Sequence, residues 1–168
     1  MQNAEDFLKA HARILQRDVQ AQATNALQRV RVLREFKELE DAAIVEQVQR
    51  KHCLTTVALE LGARDWNALV AELNANVNDD FGTMWHVLGH WNIWSAQYDE
   101  ARQIRADHGG YLLPYKKQFM IVEDNYIETL GLNPGDPDWE RIGRDWVATT
   151  DMTARDRLAT QLLRARLE

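Results

Sequence analysis

Apolar residues recur at helical spacing along much of the chain. Phe7, Leu8, His11, Ile14 and Leu15 follow the i, i+3, i+4, i+7 rule and predict an amphipathic helix. Thr24 and Asn25 read as the cap of a second helix carrying Leu27, Val30, Val32 and Leu33. Ala43, Ile44, Val48, Cys53, Leu54, Val57, Ala58 and Leu61 form a longer stripe that stops at Gly62, a good residue to close a helix. Asp65 then reads as an N-cap, with Trp66, Leu69, Val70 and Leu73 behind it. The first glycine is Gly62 and the first proline Pro114, so the opening 61 residues have room only for helices and short polar joints.

The second half repeats this grammar with more breakers. Thr83 is expected to cap a helix running to about Asp107, closed by His108-Gly109-Gly110. Pro114 is expected at the first position of a helix reaching Leu130, with Gly131 as its stop. Asn133-Pro134-Gly135 is a turn, and Asp136-Pro137-Asp138 opens the next helix with two acids at the positive end of its dipole. Asp151 caps the last helix, whose stripe is Leu158, Leu162, Leu163 and Leu167. Only Tyr111–Leu113 and Phe119–Val122 have strand character, and a helix suits the second better. The expected fold is all-α, a compact bundle of about six or seven helices in two packed halves. Residues 1–80 form a helical half poor in glycine and proline, residues 81–168 an aromatic-rich helical half, and the two make one compact unit.

Composition narrows the function classes. Of 168 residues, 45% are hydrophobic and 27% charged, a globular balance rather than a disordered one. A net charge of -6 argues against non-specific nucleic-acid binding and against a membrane-surface protein. Residues 1–80 carry 10 basic and 13 acidic groups, and residues 81–168 carry the same, so charge does not divide the chain. Aromatic rings do: nine of the 14 lie between Phe81 and Tyr126. The longest stretch without Asp, Glu, Lys or Arg, Phe81 to Tyr98, contains His86, His90, Asn92, Ser95 and Gln97, which hydrocarbon would not accept cheaply. No membrane span is therefore expected, and the first twenty residues do not read as a targeting signal. A single cysteine, Cys53, points to a reducing compartment, the cytoplasm.

The N-terminal residues also carry a resemblance. Leu8-Lys9-Ala10-His11-Ala12 with Leu15, then Lys51-His52-Cys53-Leu54 leading into Ala58, Leu61, Gly62, Trp66 and Leu69, resembles a small helical module. That module stands at the front of bacterial ankyrin-repeat and glyoxalase-related proteins and has an Ala-x-x-Leu-Gly-x-x-x-Trp-x-x-Leu core. It often has an aromatic residue after the glycine, where this chain has Ala63. Gly109-Gly110-Tyr111-Leu112-Leu113-Pro114-Tyr115 and Asp136-Pro137-Asp138-Trp139 resemble segments of bacterial proteins of similar size. The resemblances imply a bacterial origin and a helical fold, and they transfer no catalytic residue.

Three constellations could carry chemistry. On a helix, His86 and His90 would sit one turn apart on one side, a spacing that can share a metal. A third ligand is missing: Gln97 is a poor one, Asp99 points elsewhere, and Glu100 lies more than two turns from His90. Packed or capping histidines explain the pair equally simply. The rings of Trp85, Trp91, Trp94, Tyr98, Tyr111, Tyr115, Phe119 and Tyr126 could line a pocket, form a flat interface or fill a core. Gly109-Gly110 permits a close backbone approach, and Tyr111, Tyr115 and Lys116 follow it. Asp136-x-Asp138-x-Glu140 lacks the glycine and distal glutamate of a calcium loop. Leu54 to Leu73 could form a helix-turn-helix, but its would-be recognition helix, Asp65 to Leu73, has no Lys or Arg and carries Asp65 and Glu72, the wrong balance for DNA.

The expected function is binding of a small, partly apolar ligand in an aromatic-lined cleft between the Thr83–Asp107 helix and Tyr111–Gln118. Trp91, Trp94, Tyr98 and Tyr115 would form walls, while His90, Tyr111 and Lys116 orient the ligand. One alternative is an enzyme in the same cleft with His86 or His90 as general base or metal ligand. The other is a homodimer whose aromatic surface is the interface. No cofactor is named by the sequence, and neither nucleic acid nor membrane is expected as a partner.

Overall fold

The computed structural model describes residues 3–74 and 83–168. The boundary expected between residues 80 and 81 lies outside the described residues. The chain divides into two compact units, Met1–Leu69 and Val70–Glu168.

The first unit is helical, built from α1 (Ala4–Gln20), α2 (Thr24–Val30), a short 3-10 turn (Arg34–Phe36), α3 (Asp41–Gln47), α4 (Arg50–Glu60) and the start of α5 (Trp66–Leu73). Asn3 caps α1 by accepting the Asp6 N–H at 2.7 Å. Phe7, Leu8 and Leu15 bury the expected stripe, whereas Ile14 is exposed. Ile44, Cys53, Val57, Ala58 and Leu69 complete the core. Gly62 closes α4 in the left-handed region, at φ +83°. Asp65 caps α5 through the Ala68 N–H at 2.8 Å. Arg29 forks onto Glu60 at 2.7 and 2.8 Å and ties α2 to α4.

The second unit overturns the all-α expectation. It contains β1 (Ile93–Ser95), α6 (Tyr98–His108), β2 (Tyr111–Tyr115), β3 (Gln118–Val122), α7 (Asp124–Thr129), α8 (Pro137–Arg141) and α9 (Met152–Leu167). The strands form an antiparallel sheet in the order β1-β3-β2. The fold is mostly helical but mixed. No helix runs from Thr83 to Asp107: residues 83–92 are irregular, β1 follows, and only Tyr98–His108 is helical. Pro114 does not start a helix either; it lies in β2, opposite Phe119.

Local physics explains both corrections. Residues 111–114 and 119–122 are buried on both faces, so each strand reads as a continuous apolar run rather than an alternation. The turn between them is only Lys116-Lys117, with Lys116 held at φ +51°, a conformation sequence rules reserve for Gly, Asn or Asp. The outer edge of β2 is met by the 144–146 segment: the Leu112 N–H donates to the Arg144 carbonyl and the Trp146 N–H to the Leu112 carbonyl. Two residues on, Pro114 directs its missing donor to that same outer side, where the ladder loses nothing.

The sheet has two unlike faces. Leu112, Phe119 and Ile121 pack with Ala101 and Val147, and Tyr98 and Ile104 border them. Register places Trp94, Met120, Val122, Leu113, Tyr111 and Tyr115 on the opposite face. Trp85, Tyr126, Trp139 and Trp146 are fully buried over it. Trp85 lies 4.3 Å from Trp146 and 6.3 Å from Trp139, and Tyr111 lies 4.9 Å from Trp139, between ring centroids. Arg155 is buried with its guanidinium 4.8 Å over the Trp146 ring. Burial lowers the Arg155 pKa to about 10. Asp136 and Asp151 cap α8 and α9 as the sequence suggests, accepting from the N–H groups of Asp138 and Ala154. Arg157 forks onto Asp138 and joins the two helices.

Candidate functional site

The loss of the 83–107 helix disperses the predicted site residues. His86 and His90 no longer share a helical side. The His86 ring lies 4.7 Å from Tyr115 and 6.5 Å from Trp94, whereas His90 meets Tyr126 edge-on at 5.1 Å. Among the described residues, no group of three or more His, Cys, Asp or Glu side chains is placed to hold a metal ion.

Apart from Trp91 and His90, the expected ring-bearing site residues fall into three places. Trp94, Tyr115 and His86 do meet, with Trp94 and Tyr115 5.5 Å apart and Lys116 Nζ 5.2 Å from the Tyr115 ring. This group is partly open to water: Trp94 is 39% exposed. Tyr111 is buried in the core instead. Its hydroxyl lies 3.0 Å from both Asp124 Oδ1 and the Pro134 carbonyl oxygen. Burial, reinforced by Asp124, pushes its pKa up to about 12, so it is a structural hydrogen-bond donor. Tyr98 lies on the other face of the sheet, against Phe119, and donates to Asp145 Oδ2 at 2.6 Å. Burial and the Asp145 carboxylate raise its pKa well above the phenol range. The Asp145 Oδ1 accepts from Val147 and Ala148 N–H, so this pair fastens α6 to the chain that covers β2.

Trp91 is in none of these groups. It is fully exposed, at 102% of the reference area. Its segment is held at one end by Tyr126: the Tyr126 hydroxyl donates to the Trp85 carbonyl at 2.8 Å and accepts the Val87 N–H at 3.0 Å. At the other end, Ile93 pairs with Ile121. Between them Trp91 stands at the rim of a recess of about 80 Å³ at one end of the sheet.

That recess is lined by Trp91, Ile93 and Ile121 on its apolar side and by His108, Gly109, Gly110 and Glu123 on its polar side. It adjoins a wide, shallow dish of about 460 Å³ that shares Gly110 and Glu123 and adds Asp124 and Asn125. The two glycines differ in what they require. Both have positive φ, +80° and +85°. A Cβ on Gly110 would sit 2.4 Å from the Val122 carbonyl oxygen, so that position has no room for a side chain. A Cβ on Gly109 would meet nothing within 4 Å. The backbone at Gly109 is therefore the open floor of the recess.

Of the expected ligand-binding residues, only Trp91 lines this recess. His108 and Glu123 are site residues beyond the expected set; the sequence marks His108-Gly109-Gly110 only as a helix stop, with Gly109-Gly110 permitting a close backbone approach. Glu123 had no sequence signal, because only the return of β3 beside β1 brings it there. Among the described residues, no helix is long and apolar enough to cross a membrane. Comparison of the chain with protein-family models, with curated proteins and with solved structures gives no match.

Proposed function

We propose that the protein is a binding module that takes a small, partly apolar ligand in the recess beside Trp91. The observation that carries this reading is a fully exposed indole at the rim of an unfilled recess, in a unit that buries Trp85, Trp139 and Trp146 completely. An indole presents roughly 150–250 Å² of burying surface, on the order of 4–6 kcal/mol at about 25 cal/mol per Å². The fold leaves that contribution unused at Trp91, and a ligand covering part of the ring would recover a share of it. Cytoplasmic residence belongs to the same proposal, supported by the single buried thiol of Cys53; bacterial origin rests on the sequence resemblances alone.

The test is ligand-observed NMR with a library of small aliphatic and aromatic fragments against wild type and Trp91→Ala. Because the ring is exposed, the variant keeps its fold. Fragments whose signal vanishes in the variant support the reading; a library with no Trp91-dependent binder refutes it.

One observation favours a second reading, a homodimer. Leu88, Trp91, Ile93 and Trp94 expose large apolar side chains within seven residues, and the outer edge of β1 is unpaired among the described residues. Sedimentation equilibrium decides it: a wild type that stays monomeric at high concentration removes the dimer.

A further inference from the structure

Resting on the binding reading above, we propose that the recess selects an organic cation, a primary amine or quaternary ammonium, seated between the Trp91 indole and the Glu123 carboxylate. Glu123 belongs to both the recess and the adjoining dish, and it is exposed. Among the described residues, its carboxylate has no hydrogen-bond or ion-pair partner. Asp124 adds a second carboxylate to the dish, with Oδ1 turned to the Tyr111 hydroxyl.

Among the described residues, no Lys or Arg lines either space. The Arg144 guanidinium has its pKa raised chiefly by its hydrogen bond to Glu140 and, among weaker influences, by Asp124. It is committed elsewhere: it contacts Glu140 Oε1 at 2.6 Å and lies 5.1 Å over the Tyr111 ring. An anion entering the recess would meet Glu123 with no Lys or Arg among the described lining residues to offset the repulsion. A neutral apolar group would strip water from that carboxylate and return nothing to it. A cation does neither.

The remaining walls suit the same class. The face of an indole attracts a cation within about 6 Å of its centroid, and Trp does so best among the aromatic residues. Ile93 and Ile121 offer apolar surface to alkyl substituents. His108 lines the polar side, where a ring nitrogen free of its proton would accept an N–H of the primary ammonium alone. The bare backbone at Gly109 lets a compact headgroup sit low. The recess of about 80 Å³ admits such a headgroup and no more, while the dish beside it can take a longer substituent.

The experiment measures binding of four probes of similar size to the full chain at low ionic strength. They are tetramethylammonium chloride, n-butylammonium chloride, n-butanol and sodium butyrate. The two cations are expected to bind about tenfold more tightly than n-butanol, with butyrate weakest. Trp91→Ala and Glu123→Gln are each expected to weaken the cations about fivefold or more, and added salt to weaken them further. If n-butanol or butyrate binds as well as the cations and loses binding in Trp91→Ala, the cation assignment is overturned while the recess remains a binding site. If no probe responds to Trp91→Ala, both readings fall.

Discussion

Replacing Tyr126 with phenylalanine removes one oxygen atom and tests how the chain before β1 is fastened to the sheet. The ring is completely buried. Its hydroxyl donates to the Trp85 carbonyl at 2.8 Å, accepts the Val87 N–H at 3.0 Å and lies 3.5 Å from the Met120 sulfur. Tyr126→Phe keeps the ring, so the cavity left behind is no larger than the missing oxygen. The two backbone groups lose their partner in a place that water reaches poorly. Each net hydrogen bond is worth about 1 kcal/mol, and a buried group left unsatisfied costs about 1–3 kcal/mol. We expect a total loss of about 2–3 kcal/mol. With a urea dependence near ~2 kcal/mol per M, the unfolding midpoint falls by about 1–1.5 M at unchanged slope. Native-state hydrogen exchange should show the Val87 amide losing protection more than the β3 amides do. A midpoint shift below about 0.3 M, or a Val87 amide protected as in wild type, would refute this account of the anchor.

The other expectations are local. Gly110→Ala should cost about 2–4 kcal/mol, since its Cβ collides with the Val122 carbonyl and φ is +85°, while Gly109→Ala, strained but open, should cost only about 1–2 kcal/mol; equal losses in urea melts would contradict the two-glycine argument. Lys116→Asn should stabilise the β2–β3 turn by about 0.5–1 kcal/mol, because asparagine tolerates φ +51° better than lysine; a destabilised variant would show that Lys116 makes a contact worth more than its strain. The Arg157 guanidinium holds the Asp138 carboxyl below its ordinary pKa, so this pair contributes stability above the unfolded carboxylate range and loses it as pH falls through the folded value. Urea midpoints between neutral and strongly acidic pH should therefore fall less steeply in Asp138→Asn than in wild type. Burial raises the Cys53 thiol to about 11, so a thiol reagent at mildly alkaline pH should label it only as fast as the first unit opens; labelling as fast as a free thiol would reject the buried placement.

Helices with strong end signals were legible in the sequence. Gly62, Asp65, Asp136-Pro137, Asp151 and Gly131 each mark a helix end where the chain has one, because capping and positive φ are local requirements that local residues meet. The sheet was not legible, for equally physical reasons. A strand buried on both faces loses its period of two, and a Lys-Lys turn carries no hairpin signature. The spacing of Val87, Trp91, Trp94 and Tyr98 fits a helix, yet Gly89 adopts φ +91° and breaks it. Ile93 and Trp94, both favoured in strands, then pair with β3. A helix over 83–107 would turn His86 and His90 to one side and set Tyr111 on a cleft wall; without that helix neither follows. Trp91 stayed a ligand-binding candidate only because any indole in a ring-rich stretch draws attention.

The same correction gives Trp91 its meaning. An exposed indole on a loose loop would be ordinary, and ordering that loop around a ligand would consume most of the gain, at about 1–2 kcal/mol per residue fixed. Here the loop is tied at both ends, at Val87 by the Tyr126 hydroxyl and at Ile93 by the ladder to Ile121. Leu88 and Trp91 are nonetheless 85% and 102% exposed between those two anchors. A segment whose ends are already fixed loses little further entropy on contact, which is the condition for a small ring surface to bind usefully. It follows that the anchor and the recess are coupled. Tyr126→Phe, although Tyr126 is not among the residues that line the recess, should weaken a Trp91-dependent probe under conditions where the sheet itself stays folded, whereas a plain surface tryptophan would bind equally well with the anchor cut.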